Sequence, residues 1–345
     1  MLLSVADGLY RLLYHGLLSR LPESRAVRVG QALLRAFPVR AFPGFSLDDP
    51  RLAVELAGVR LPNPVILSSM YYDLTILRKA MALGFGAVTT KSITVTPRPG
   101  HPEPNLVRIP TPEGPGFVNC NGFRNPGLEA FRAALARVPR HRPLIVSVAG
   151  ESPEEYRQLV EVLAPFADLV EVNISSPNTR LVYELSASSE RIRRLLKEVR
   201  SATAKPLIVK LSPDYPAENR QVIVPAILDA GIEAVNFGNT RRVEHPGLSQ
   251  GAGGLSGPAL FATVVATIRE LRRAVGPQIG LIATGGIDAP AKALAAIEAG
   301  ADAVGYFTAF ITRGPTLPRR IGDALLATVD TRGLRRVADL RGARR

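Results

Sequence analysis

Eight short apolar runs separated by stretches of helical rhythm most narrow what this chain can fold into. They lie at residues 65–68, 87–91, 144–148, 169–174, 207–211, 234–237, 281–284 and 303–307. Each is too short for a helix and nearly unbroken in apolar character, as strands covered on both faces are. Eight strands alternating with helices predict an α/β fold, a closed parallel (β/α)8 TIM barrel rather than an open sheet. One helix-to-strand junction recurs in Gly84-Phe85-Gly86-Ala87-Val88, Gly231-Ile232-Glu233-Ala234-Val235 and Gly300-Ala301-Asp302-Ala303-Val304. In each, the glycine is placed to end a helix in the left-handed conformation just before the next strand.

The barrel leaves residues 1–45 over. Leu2, Leu9, Leu12, Leu13, Leu17 and Leu21 recur at helical spacing before Pro22, and Val27, Val29, Leu33 and Leu34 after it. Pro22 suits the start of a second helix, where a missing N–H costs nothing. Asp7 and Arg11 interrupt the apolar core that a secretory signal needs. Two readings fit this helical pair: an amphipathic hairpin on a membrane surface, or a pair packed against the main domain. The chain thus divides into a helical extension, 1–45, and a barrel, 46–345.

With 345 residues, 46% hydrophobic and 21% charged, a substantial core is available and disorder is not expected. A single cysteine, Cys120, excludes an intramolecular disulfide, and no metal-ligand spacing occurs among Cys120 and the four histidines. The net charge of +13 is concentrated at the two ends. That balance is compatible with nucleic acid, an anionic membrane or acidic substrates.

Barrel enzymes carry their working groups at the C-terminal ends of the strands. Here those ends hold Lys91, Ser147, Lys210, Asn239-Thr240, Gly285-Gly286 and Phe307-Thr308, and the loop Asn173-Ile174-Ser175-Ser176-Pro177-Asn178-Thr179. Loops after the seventh and eighth strands often form a phosphate site, which suits Gly285-Gly286 and Phe307-Thr308. A cation ending a buried strand, such as Lys91 or Lys210, faces either a functional pocket or an internal ion pair. Between the second and third strands, residues 92–142 make a proline-rich insertion of the length expected for a lid or binding loop.

These motifs resemble the FMN-dependent dihydroorotate dehydrogenases along nearly the whole chain. The resemblance rests on Thr96-Pro97-Arg98-Pro99-Gly100, Asn119 to Asn125, Asn173 to Thr179, and Val209-Lys210-Leu211-Ser212-Pro213-Asp214. Asn239-Thr240, Gly253-Gly254-Leu255-Ser256-Gly257 and Gly285-Gly286-Ile287 extend it. It implies a (β/α)8 barrel that oxidises dihydroorotate to orotate in pyrimidine biosynthesis, with hydride passing to FMN. By position, Ser176 corresponds to the catalytic base, with Thr179 and Phe123 along its proton path. Substrate contacts are implied for Asn119, Cys120, Asn121, Gly122, Phe123, Asn173, Asn178, Asn239 and Thr240. Carboxamides suit a ring of alternating donors and acceptors because they carry both. FMN contacts are implied for Lys91, Ser147, Asn173, Lys210, Gly238, Gly257, Gly285, Gly286, Phe307 and Thr308, and no metal is implied.

Serine at position 176, where the soluble branch has cysteine, resembles the quinone-linked, membrane-associated class 2 branch. So does the helical extension. Together they imply quinone as acceptor and a peripheral place on the cytoplasmic side of the cell membrane. Some features resemble class 1 instead. Ser69-Met70-Tyr71-Tyr72-Asp73 stands where class 2 has Gly-Leu-Asp-Lys, and Lys91 matches a lysine of the soluble branch. Arg180-Leu181-Val182 replaces Gly-Leu-Arg, and Asn121 replaces a common methionine. The competing readings are a soluble dihydroorotate dehydrogenase using fumarate or another acceptor, a flavin barrel acting on RNA, and a non-catalytic barrel. Nucleic acid is not among the partners expected.

Overall fold

The computed structural model describes residues 2–39, 43–137, 141–175 and 188–342. Two helices come first, α1 (Leu2–Gly16) and α2 (Glu23–Ala36), the second started by Pro22. The strands β1 (Val54–Leu56) and β2 (Val59–Leu61) form a hairpin whose two turn residues, Ala57 and Gly58, both have positive φ. That is the turn whose twist matches antiparallel strands. Next come β3 (Val65–Tyr71), α3 (Leu74–Ala82), β4 (Ala87–Thr90), β5 (Leu106–Ile109), β6 (Gly116–Asn119) and α4 (Leu128–Leu135). Then follow β7 (Leu144–Val148), α5 (Pro153–Leu163), β8 (Leu169–Asn173), α6 (Ser189–Ser201), β9 (Leu207–Leu211), α7 (Ala217–Asp229) and β10 (Ala234–Phe237). The chain continues through β11 (Arg241–Glu244), β12 (Ala252–Ser256), α8 (Phe261–Val275), β13 (Gly280–Thr284) and α9 (Pro290–Glu298). It ends with β14 (Ala303–Tyr306), α10 (Thr308–Arg313) and α11 (Leu317–Thr331).

Strands β3, β4, β7, β8, β9, β10, β13 and β14 close into a parallel barrel. All eight apolar runs of the sequence are barrel strands; three match end to end and five differ at one end by one to three residues. The largest displacement is in β3, where a register shift after Leu67 carries the strand on until Tyr71 pairs with Thr90. At the three recurrent junctions, Gly84, Gly231 and Gly300 have φ of 94°, 65° and 120°. Strands β11, β12, β6 and β5 make a separate antiparallel sheet. The insertion at 92–142 is therefore half of that sheet plus α4, rather than a free lid.

The barrel interior is layered. Ile66, Ala87, Ile145, Leu169, Ile208, Ala234, Ile282 and Ala303, one from each strand, form an apolar layer. Val54, Leu56 and Leu61 of the hairpin cover it from below. Two residues further along each strand, the same face carries Ser68, Thr89, Ser147, Glu171, Lys210, Asn236, Thr284 and Gly305. The second layer is therefore polar on nearly every strand. Outward-facing Val88, Val146, Val170, Val209 and Val235 pack under the helices.

The N-terminal helices lie against the barrel. The Tyr10 hydroxyl donates to the Ile311 carbonyl at 2.6 Å, and Thr316 donates to Asp7 at 2.9 Å. Arg35 pairs with Asp73 at 2.6 Å, and Asp73 also caps α3 by accepting from the Thr75 amide at 2.9 Å. This packing leaves apolar surface uncovered: Leu9 is 62% and Leu12 72% exposed. Among the described residues no helix is long and apolar enough to cross a membrane.

Candidate active site

A cavity of about 970 Å3 opens above the polar layer, between the C-terminal ends of the strands and the N-terminal helices. Its barrel wall holds Ser68, Lys91, Lys210, Asn239, Thr240 and Thr284, and the loops Gly285-Gly286 and Phe307-Thr308. The antiparallel sheet adds Asn119, Asn121 and Gly257. Leu9, Leu13, Val27, Leu34 and Phe37 make the opposite, apolar wall. One space thus joins two chemistries.

The polar wall is ordered by hydrogen bonds. Asn239 donates to the Ser175 hydroxyl at 2.7 Å, and Ser175 donates to Asn173 Oδ1 at 2.7 Å. The Asn173 amide donates to Ser92 at 2.8 Å, Ser92 and Ser147 lie 2.9 Å apart, and Ser147 donates to Glu171 at 2.8 Å. Because the Ser147 proton points to Glu171, Ser92 supplies the proton between the two serines. Asn236 approaches the other carboxylate oxygen at 2.7 Å as donor. On the sheet side, Asn121 donates to Asn119 at 3.1 Å, and Asn119 donates to the Gly254 carbonyl at 3.3 Å.

Both lysines of the strand ends face this space. Lys210 is 5% exposed and its ammonium lies 3.9 Å from Glu171, itself 1% exposed. Pocket and ion pair, the two alternatives for a buried strand-end lysine, hold together at this residue. Lys91 has Met70 Sδ as its neighbour at 3.9 Å. Burial, and then the charge of Lys210, push the Lys91 ammonium down to about 8.

Close backbone approach sets the rest. A Cβ on Gly238 would come within 1.6 Å of the Thr284 carbonyl oxygen, and one on Gly286 within 2.5 Å of the Phe261 nitrogen. Both glycines have positive φ, 137° and 72°. Phe307 meets Tyr71 edge to face at 5.1 Å, and Thr308 donates to Ser256 at 3.0 Å.

Not every residue of the motifs reaches the cavity. Cys120 is buried with Val118, Leu248 and Leu255 in the core of the antiparallel sheet, because side chains alternate and Asn119 and Asn121 take the other face. Gly122 packs against His101, and the Phe123 carbonyl accepts from Asn125 at 2.7 Å. Gly238 acts through its backbone, while Ser147 and Asn173 lie just beneath the cavity wall. Ser176, Asn178 and Thr179 lie outside the described residues. Sequence reasoning missed Glu171, Ser68, Ser92, Asn236 and Thr284 as site residues, and it included Ser175 only within the loop after β8. For Glu171 the signal was available: an acid in the middle of a strand buried on both faces needs a partner.

The model of the dihydroorotate dehydrogenase family matches residues 51–329. A Thermobifida fusca protein named dihydroorotate dehydrogenase (quinone) is 34% identical, covering 97% of this chain and 96% of its own length. A Sphingopyxis alaskensis protein of the same name is 34% identical over 86% of this chain and 87% of its own. Among solved structures, that of the Eimeria tenella enzyme in complex with ferulenol has a TM-score of 0.83 at 26% identity, covering 96% of this chain and 99% of that one. Sequence, barrel and similarity along almost the full length of these relatives agree, and the chain belongs to the dihydroorotate dehydrogenase family.

Proposed function

We propose that this chain oxidises (S)-dihydroorotate to orotate with FMN held at the top of the barrel, and passes the electrons to a quinone. The observation that carries this reading is the single cavity with a polar barrel wall and an apolar helix wall. An anionic pyrimidine suits the first and a quinone ring the second. Relatives named for the quinone reaction support the choice of acceptor.

The residues present fit a flavin. Ser68 Oγ and Thr284 Oγ1 are buried without a hydrogen-bond partner. Between them, a Cβ on Gly305 would meet Thr284 Oγ1 at 2.3 Å and Ser68 Oγ at 2.8 Å, so a glycine keeps both hydroxyls free for a ring above. Lys210 reaches the same wall, and Gly257, Gly285, Gly286, Phe307 and Thr308 supply the loops for a phosphate. FMN, when bound, supplies the hydride acceptor and the route for electrons to the quinone.

The chain's own groups do the remaining work. Asn119, Asn121 and Asn239 present donors and acceptors to the pyrimidine, with Thr240 beside them, and Lys91 offers a cation to its carboxylate. Ser176, next to the hydrogen-bonded Ser175, takes the C5 proton. The protein docks on a membrane surface, on the cytoplasmic side, with the apolar wall toward the lipid; the uncovered leucines of α1 support the docking.

Anaerobic mixing of the purified yellow protein with dihydroorotate tests the reading. Bleaching of the flavin band with one orotate formed per flavin is expected. A protein that holds no FMN, or whose flavin stays oxidised, contradicts it.

A further inference from the structure

We propose that Glu171 is a positioning residue for this site: it is the buried counterion of Lys210, and the acceptor that gives the polar wall its direction. This rests on the function proposed above and assigns the acid beneath it a role.

Three observations carry the inference. Glu171 lies in the polar layer at the centre of the barrel, where an unpaired charge would be costly. It accepts from Ser147 and Asn236 and faces the Lys210 ammonium at 3.9 Å. An ionised carboxylate is acceptor only. The protons of Ser147 and Ser92, and the amide of Asn173 above them, therefore all point toward it. The chain ends at Ser175, which precedes Ser176 in the sequence, and at Asn239.

Lys91 and Lys210 line this wall of the cavity, and Arg28, Arg35, Arg108 and Arg124 line the rest. The acids that line the cavity are engaged elsewhere. Glu23 accepts from the Arg108 amide, Asp73 pairs with Arg35, Glu103 with Arg28, and Asp288 with Lys292 and Arg313. Tyr71 and Tyr306 also line the cavity, and burial raises both phenols, so they stay neutral. Among the described residues, Glu171 is thus the carboxylate in reach of Lys210. Lys91 is pressed down by burial and then by Lys210, the cation whose charge Glu171 balances. Removing the negative charge leaves Lys91 beside an uncompensated Lys210 cation, which lowers the pH at which Lys91 loses its proton.

Calorimetric titration of orotate into the holoenzyme across neutral and alkaline pH tests this without turnover. In the unaltered protein, orotate affinity is expected to fall as pH rises through about 8, where Lys91 loses its proton. In Glu171→Gln the fall moves down by at least about one pH unit, roughly a tenfold loss of affinity at the pH where the unaltered protein still binds fully. Glu171→Asp keeps the charge and returns the fall toward its original place. A role in packing alone lowers affinity by the same factor at every pH. An unmoved fall in Glu171→Gln overturns the proposal.

Thermal melting supplies an independent arm should Glu171→Gln fold poorly. Because that variant strands Lys210, adding Lys210→Met is expected to raise its melting temperature. A double variant that melts below Glu171→Gln overturns the counterion role. If the unaltered protein binds no orotate at any pH, the proposed function fails; binding with an unmoved fall rejects Glu171 alone.

Discussion

At the scale of single residues, the site is a set of groups whose partners fix what they can do. A serine hydroxyl is a weak base at its free pKa, so Ser176 depends on its surroundings for activation. Ser176→Ala is expected to retain FMN and slow flavin reduction by dihydroorotate on the order of 10²–10⁴-fold, as loss of a general base does. Stopped-flow absorbance measures it, and an unchanged rate removes Ser176 from the mechanism. Gly238 is a backbone case. Gly238→Ala drives a Cβ into the Thr284 carbonyl at positive φ, and a loss of about 2 kcal/mol or more is expected in urea unfolding. Stability equal to the parent would contradict the close approach. Sequence gave uneven access at this scale. Asn119, Asn121, Asn239, Lys91 and Lys210 were readable because they follow strands or sit in motifs. Glu171 was hidden inside an apolar run, and Cys120 was grouped with its neighbours although alternation turns it to the opposite face.

Among elements, the N-terminal pair has two faces. One is tied to the barrel through Tyr10, Asp7 and Arg35, while Leu12 is exposed and Leu9, on the apolar wall of the cavity, remains 62% exposed. Burying a leucine stabilises by roughly 1.5–3 kcal/mol. Leu9→Glu with Leu12→Glu is therefore expected to cut co-sedimentation with phosphatidylglycerol-containing vesicles at least about tenfold, leaving flavin reduction by dihydroorotate unchanged. Equal sedimentation of variant and parent would remove the membrane role of α1. The helices themselves were legible from leucine spacing and Pro22. The antiparallel sheet was not. It joins residues 106–119 to 241–256, and register between strands so far apart leaves no local periodicity to read.

For the whole molecule, the eight-fold alternation of strand and helix was enough to specify the barrel, because a buried parallel strand needs apolar residues on both faces. The layering inside it was legible only in part. The bottom layer of small or branched apolar residues is the ordinary filling of such a barrel, whereas the polar layer emerges when the register is known. That layer turns a packed barrel into an enzyme, and the helices roofing it add the apolar wall. The flavin barrel acting on RNA gives way to the family match across residues 51–329. Joining the two walls in one cavity is the central claim, and it concerns both half-reactions. Anaerobic double mixing tests it most directly: one equivalent of dihydroorotate first, then a short-chain quinone or fumarate. The flavin is expected to bleach on the first mix and to regain its colour rapidly with the quinone and not with fumarate. Failure to bleach, or recovery with fumarate as fast as with quinone, would contradict the account.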